Sequence, residues 1–336
     1  MVAMKESDLL EHLRGNPFVL APMAGITDRP FRTFMREMGC GVVVSELVSA
    51  TGLKYSSQKT RKLMEFDSTQ HPVGIQLFGE NLEHLSEAAK IVEQMGADFV
   101  DLNFGCPVPK VVNKGAGSAC LKDLVRLRET IRAAKSAIQI PLTIKVRTGW
   151  DHLTRNTHEV VQVAYDEGVT WVAIHGRTRA AAYTGLADWD YIKEVKARSP
   201  LPILGNGDIT SAKLAVERLE GSGCDGVMIG RGCLKNPRIF AEALGRHEER
   251  TFGRILGRLH DHLSAFYDER LTLIQMRKFA AWYSAGYAGA AGFRKELFQL
   301  QARDEVLGRI HEFFNAADAR VQADTSHEPF LMGGHG

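Results

Sequence analysis

Eight short apolar runs alternate with stretches of helical spacing across residues 18–230, and this alternation restricts the chain to a few folds. The runs are Phe18–Met23, Val42–Leu47, Val73–Phe78, Phe99–Phe104, Leu142–Arg147, Trp171–His175, Pro202–Asn206 and Gly226–Gly230. Between them Leu82–Met95, Leu121–Ile138, His158–Glu167 and Ala212–Leu219 place apolar residues at helical intervals. Successive runs start roughly 24 to 43 residues apart, enough for a right-handed crossover between parallel strands. Eight such units in about 240 residues predict an α/β fold, the (β/α)8 TIM barrel. A doubly wound open sheet would need a Gly-x-Gly-x-x-Gly turn after the first strand, and Ala21-Pro22-Met23-Ala24-Gly25 stands there instead.

From Leu244 onward the strand signals vanish, and Ile255–Phe266, Leu273–Tyr287 and Phe293–Ala302 read as amphipathic helices. The expected division is therefore a barrel over 1–244, an all-α C-terminal domain over 245–321, and a disordered tail over 322–336 ending in Gly333-Gly334-His335-Gly336. No apolar run approaches the ~18–20 residues of a membrane span, and Met1–Gly15 is too polar for a signal peptide, so the cytoplasm is the expected address. With 42 basic and 40 acidic residues, a nucleic-acid partner would have to be met by a local basic patch. The spacing of Cys40, Cys106, Cys120, Cys224 and Cys233 fits neither a disulfide framework nor a metal-binding pair, and no metal site is expected.

In a barrel the strand ends meet on one rim, which gathers Met23, Gln76, Asn103, Lys145, His175, Asn206 and Arg231. The last two strand ends read Gly205-Asn206-Gly207-Asp208-Ile209 and Gly230-Arg231-Gly232. Each motif alone is equally consistent with a tight turn, but together, at the usual phosphate position of this fold, they favour a bound phosphate. Lys145 closes an apolar strand and needs a partner, either a bound anion or a carboxylate such as Glu46. Gln76 can read the edge of a heterocycle or satisfy buried backbone. His175 reads as a core histidine or, with Arg177 and Arg179 close behind, as an anion-facing group. Cys106, between Gly105 and Pro107, reads as a thiol in an exposed turn rather than an inert core residue.

These motifs resemble one family. Ala21–Asp28, Gly74–Gly79, Leu102-Asn103-Phe104-Gly105-Cys106-Pro107, His175-Gly176-Arg177-Thr178 and Asn206-Gly207-Asp208 are together similar to the tRNA-dihydrouridine synthases, the bacterial B-type above all, and the likeness extends to Met276-Arg277-Lys278. The resemblance implies a flavin mononucleotide (FMN) lined by Pro22, Met23 and Ala24, with Gln76 on its pyrimidine edge and Lys145 facing the side where negative charge develops on reduction. It implies that His175, Asn206, Gly207, Asp208, Gly230 and Arg231 hold the ribityl phosphate and its surroundings, and that Asn103 lies between flavin and base. NADPH or NADH would reduce the flavin and depart, hydride would pass to C6 of a D-loop uridine, and Cys106 would protonate C5. The tRNA phosphates would be met by Lys110, Lys114, Arg147, Arg177, Arg179, Arg277, Lys278, Arg294 and Lys295, the protein acting as a monomer. Two other functions stay open at this point, an FMN dehydrogenase of a free pyrimidine such as dihydroorotate and a tRNA-binding protein without catalysis.

Overall fold

The computed structural model describes residues 3–55, 57–247, 249–317 and 320–323. Its strands are β1 (Phe18–Leu20), β2 (Val43–Val44), β3 (Val48–Ser49), β4 (Val73–Phe78), β5 (Phe99–Phe104), β6 (Leu142–Arg147), β7 (Val172–His175), β8 (Ile203–Asn206) and β9 (Gly226–Ile229). All pair in parallel in the order β1-β9-β8-β7-β6-β5-β4-β2, with β3 also on β4. The remaining gap is bridged where Val42 O accepts from Leu20 N at 2.9 Å, so the sheet closes on itself. The eight expected strand positions are all present. The second is broken into β2 and β3, because the Ser45 hydroxyl accepts from the Gln76 backbone N–H at 3.0 Å and takes the place of a ladder bond.

Side chains alternate across each strand, so one face of every run points into the barrel. At the N-terminal end that face is apolar: Val19, Phe99, Trp171, Leu204 and Met228 pack together, and Leu9 and Leu13 of the helix Glu6–Gly15 plug the opening. The Phe99 and Trp171 rings meet edge to face at 5.3 Å. Gly74 is required here, since a Cβ would lie 2.2 Å from the Phe99 ring. Two or four residues further along the same inward faces stand Gln76, Asp101, Asn103, Lys145, His175 and Asn206. The barrel is thus sealed with hydrocarbon at one end and polar at the other.

Helices Leu82–Gln94, Leu124–Lys135, Thr157–Asp166, Trp189–Arg198 and Ala212–Ser222 cover the outer face. The expected helix Leu121–Ile138 is shorter because Asp123 caps it, accepting from Val125 N and Arg126 N at 3.0 Å each. Among the described residues four helices follow the barrel: Phe252–Ser264, Glu269–Tyr283, Ala290–Leu297 and Arg303–Asn315. The last was not anticipated, although it buries Val306, Ile310, Phe313 and Phe314, one apolar stripe at helical spacing. This layer shares a continuous core with the barrel helix Arg29–Glu37, where the rings of Phe31 and Phe279 stack at 4.9 Å. The tail expected from Gln322 begins packed: Gln322 Nε2 donates to Ala285 O at 2.8 Å and Ala323 N to Gly286 O at 2.9 Å. Residues 324–336 lie outside the described residues.

Candidate active site

The polar rim is wired as a chain of hydrogen bonds. Asp101 accepts from Thr143 Oγ1 at 2.6 Å and from Gln76 Nε2 at 2.7 Å; Gln76 Oε1 accepts from Asn103 Nδ2 at 2.9 Å; Asn103 Oδ1 accepts from Cys106 N at 2.8 Å. The chain fixes the orientation of both amides and the start of the cysteine turn. Burial pushes the Asp101 carboxyl up to about 6, against the pull of Thr143 and Gln76. Gln76 still has one N–H and one lone pair uncommitted in this chain, enough to meet a heterocycle with an adjacent carbonyl and N–H. Asp101 is not among the residues singled out from sequence. A carboxylate at the centre of the apolar run Phe99–Phe104 was the signal that could have found it.

Lys145 lies across from Asn103 in the β5–β6 register, and its Nζ donates to Asn206 Oδ1 at 2.9 Å. Glu46, the carboxylate weighed from sequence as its partner, instead accepts from the Gly25 N–H. Burial, and then Arg147, lower Lys145 to about 8. Burial, followed by the charges of Lys145, Arg147, Arg177 and Arg231, holds His175 well below the ordinary imidazole range, so it is neutral at pH 7. Four cations at the rim face two carboxylates, Asp101 and Asp208, and the surplus positive charge suits an anion.

Cys106 is half-buried in the turn after β5. The enlarged loop folds back on it, with Ser118 Oγ donating to Cys106 O at 2.8 Å, and from the end of β6 Arg147 Nε donates to Gly105 O at 2.9 Å. Burial raises the Sγ pKa above its ordinary value, outweighing the Val108 backbone and the Arg147 charge, so the thiol keeps its proton at neutral pH.

A sequence profile described as dihydrouridine synthase (Dus) matches residues 19–318, nearly the whole chain. The chain belongs to this family. Among its relatives, tRNA-dihydrouridine synthase B of Pseudomonas aeruginosa is 38% identical over 308 residues, covering 89% of this chain and 93% of that protein. A protein of Rickettsia bellii named probable tRNA-dihydrouridine synthase is 37% identical over 310 residues, covering 89% and 94%. Among solved structures, 6-hydroxypseudooxynicotine amine oxidase from Pseudomonas geniculata matches with a TM-score of 0.55 at 15% identity, over 68% of this chain and 47% of that one. Histamine dehydrogenase from Rhizobium sp. 4-9 matches at 0.50 and 14% identity, over 74% and 47%. The chain spans about half the length of these two structures, and the likeness is one of fold.

Within this dihydrouridine synthase the expected residues fall into two groups. Gln76, Asn103, Lys145, His175 and Asn206 come together at the rim as anticipated from their strand ends, and Cys106 is tied to them through Asn103. Gly207 has φ +129°, and a Cβ there would lie 2.5 Å from that of Ala187, so only glycine fits at that position. Asp208 has φ +52° and turns its carboxylate to Ala187 N at 2.7 Å, Arg177 at 2.8 Å and Arg231 at 3.7 Å, so it braces the loop. Two arginines expected to meet tRNA phosphates point inward instead. Arg177 is buried and spends its donors on Gly185 O, Thr184 O and Asp208; Arg147 is buried and spends its own on Gly105 O, Thr178 O and Ala182 O. A strand-end arginine and a surface arginine look alike in sequence. Lys110, Lys114 and Lys295 are exposed. Arg179 lies over the Trp150 ring at 4.4 Å, with Lys122 at 4.7 Å from the same ring. Arg277 donates to Leu300 O at 2.8 Å and Arg294 to Ser284 Oγ at 3.3 Å, so both are partly committed within the helical layer. Tyr183 was not anticipated: it stands 43% exposed between Arg147 at 5.5 Å and Arg231 at 5.3 Å, with the His175 ring 6.4 Å away.

Proposed function

We propose that this dihydrouridine synthase is FMN-dependent and reduces the C5–C6 double bond of a D-loop uridine in tRNA, with NADPH or NADH as electron source. The observation that supports this reading best is the convergence of Cys106, Asn103, Gln76 and Lys145 on one polar rim with a surplus of positive charge. The donor set fits an FMN: the cations and Asn206 suit its phosphate and the anionic side of its ring, the uncommitted edge of Gln76 suits its pyrimidine, and Pro22, Met23 and Ala24 supply an adjacent apolar wall. When bound, FMN supplies the hydride for C6 of uracil.

The protein's own share is to place the base, hold the proton and keep the geometry fixed. Cys106 Sγ carries the proton for C5, kept on the thiol by burial. The Asp101–Gln76–Asn103 chain and Arg147 hold the Gly105–Cys106 peptide at its N–H and its C=O, and Ser118 holds Cys106 O on the other side of the thiol, so its position is set before substrate arrives. Neutral His175 can donate or accept a hydrogen bond without adding charge. A uridine inside folded tRNA must leave its stack to reach this rim, at a cost of a few kcal/mol that phosphate contacts from exposed lysines such as Lys110 and Lys114 offset.

The test is mass-spectrometric nucleoside analysis of undermodified tRNA incubated with the protein, FMN and NADPH. Wild type should form dihydrouridine, and Cys106→Ala should lose most of it, roughly a hundredfold or more in rate as for a missing general acid, while still being reduced by NADPH. Absence of dihydrouridine from a flavin-loaded, NADPH-reducible protein would sink this reading and favour a free pyrimidine as substrate.

A further inference from the structure

The Gly25 peptide is held at both its polar groups by side chains from two distant parts of the chain. Its N–H donates to Glu46 Oε1, just beyond β2, and its carbonyl accepts from Lys278 Nζ at 2.9 Å. Lys278 belongs to the helix Glu269–Tyr283, 253 positions further along the chain. Gly25 itself adopts φ +74°, a left-handed turn. Thr27 makes the preceding residues rigid: its Oγ1 accepts from Met23 N at 3.0 Å and donates to Met23 O at 3.2 Å. Arg32 Nη1 then donates to Thr27 O at 2.6 Å, and Tyr267 OH donates to Asp28 Oδ2 at 2.7 Å. The segment Met23–Asp28 is therefore braced along its length, and the helical layer holds it at two points.

The chemistry of the clamp is unlike that of an ordinary surface contact. Glu46 is 7% exposed and Lys278 is partly covered, its ammonium 5.4 Å from the Phe279 ring and 5.3 Å from the Trp282 ring. Burial raises Asp28 and Glu46 and lowers Lys278, so each charge here depends on its partners. An ammonium already aimed at a carbonyl beneath two rings is poorly placed to meet a tRNA phosphate.

We propose that Lys278 and Glu46 are positioning residues of the cofactor site, fixing the Gly25 peptide and through it the Met23–Ala24 wall, so that the helical layer is a working part of the flavin pocket. The inference rests on the reading of Pro22, Met23 and Ala24 as flavin-lining. It assigns to Lys278 a role in cofactor binding in place of the phosphate contact expected from sequence.

The experiment titrates FMN into flavin-stripped protein, without RNA, following the quenching of flavin fluorescence, and separately measures tRNA binding at several salt concentrations. Lys278→Met should weaken FMN about tenfold or more, the scale of one lost charge-assisted hydrogen bond, and change the bound flavin's absorption spectrum, while the salt slope of tRNA binding stays as in wild type. Lys278→Arg and Glu46→Gln, which still donate and accept, should restore most of the affinity. Tyr267→Phe, which removes one hydroxyl and leaves the ring packing, should weaken FMN severalfold. FMN affinity unchanged in both Lys278→Met and Tyr267→Phe overturns the proposal, as does a lower tRNA salt slope in Lys278→Met at wild-type FMN affinity. Should Lys278→Met not fold, unchanged affinity in Tyr267→Phe alone overturns it. A wild-type protein that binds no FMN would instead mean that the underlying functional reading has failed.

Discussion

Lys145 is the residue whose chemistry is most exposed to solution conditions. It sits 9% exposed with a single side-chain acceptor, Asn206, and its pKa is lowered to about 8 by burial first and Arg147 second. In the free protein the ammonium is present below that value and is lost as pH rises through it. An anion at the rim favours the charged form, so its binding takes up a proton once the pH exceeds about 8. As pH rises through about 8, FMN affinity should fall by at most about tenfold per pH unit, and Lys145→Met should remove that fall while weakening binding throughout. Fluorescence titrations across pH 6–9.5 measure both. A dependence that persists in Lys145→Met would assign the proton to another group.

At the scale of elements, the loop between β5 and β6 carries the geometry of Cys106. The short helix Pro109–Val112 and the 3-10 turn Gly117–Lys122 fold over the cysteine, and Gly117 is the tightest point. Gly117 has φ +62°, and a Cβ there would lie 3.0 Å from Cys106 O and 3.0 Å from Val111 Cγ1. Gly117→Ala should therefore push the cysteine turn outward. We expect a loss of about 1–2 kcal/mol in stability from the strained backbone, a dihydrouridine rate lowered by at least about tenfold because a small misplacement costs heavily, and FMN affinity within twofold of wild type. Melting curves, single-turnover rates and flavin titration separate the three. Equal losses in FMN affinity and rate would mean that the loop supports the whole pocket.

At the scale of the molecule, the helical layer and the barrel share one core, and Glu37 anchors their polar seam. Glu37, at the end of the barrel helix Arg29–Glu37, accepts from Arg258 Nε at 3.1 Å and His262 Nε2 at 2.8 Å, and also from Arg250. Its burial alone would raise the carboxyl, but hydrogen bonds from Arg258, His262 and Arg250 outweigh it and hold the group at about 2. A depressed carboxyl contributes stability that is fully present above its ordinary value of 4.5 and is lost as pH falls from there through about 2. Glu37→Gln should cost on the order of 1 kcal/mol at pH 7, discounted for partial solvent screening, and much less at pH 2.5. Denaturant melts at the two pH values test this, and an equal cost at both would mean that packing, rather than charge, holds the seam.

The barrel was legible because its determinants are local. Apolar runs of strand length at regular intervals leave few ways to close a sheet, and knowing that strands end on one rim was enough to gather Gln76, Asn103, Lys145, His175 and Asn206 in advance. The motifs Asn103–Pro107 and Asn206-Gly207-Asp208 were equally visible, and with them the family. Partners were not legible, because a side chain's hydrogen bonds depend on what crosses it in space. Lys145 met Asn206 rather than Glu46, Arg147 and Arg177 turned inward to backbone carbonyls, and Lys278 reached back 253 positions to a peptide beside the site. Sequence by itself determined the fold, the family and which residues stand at the rim, since these follow from periodicity and chain order. Only the tertiary structure decided which charges are buried, which donors are already spent and which distant helix reaches the Gly25 carbonyl, because burial and hydrogen-bond partnership are properties of the packed chain.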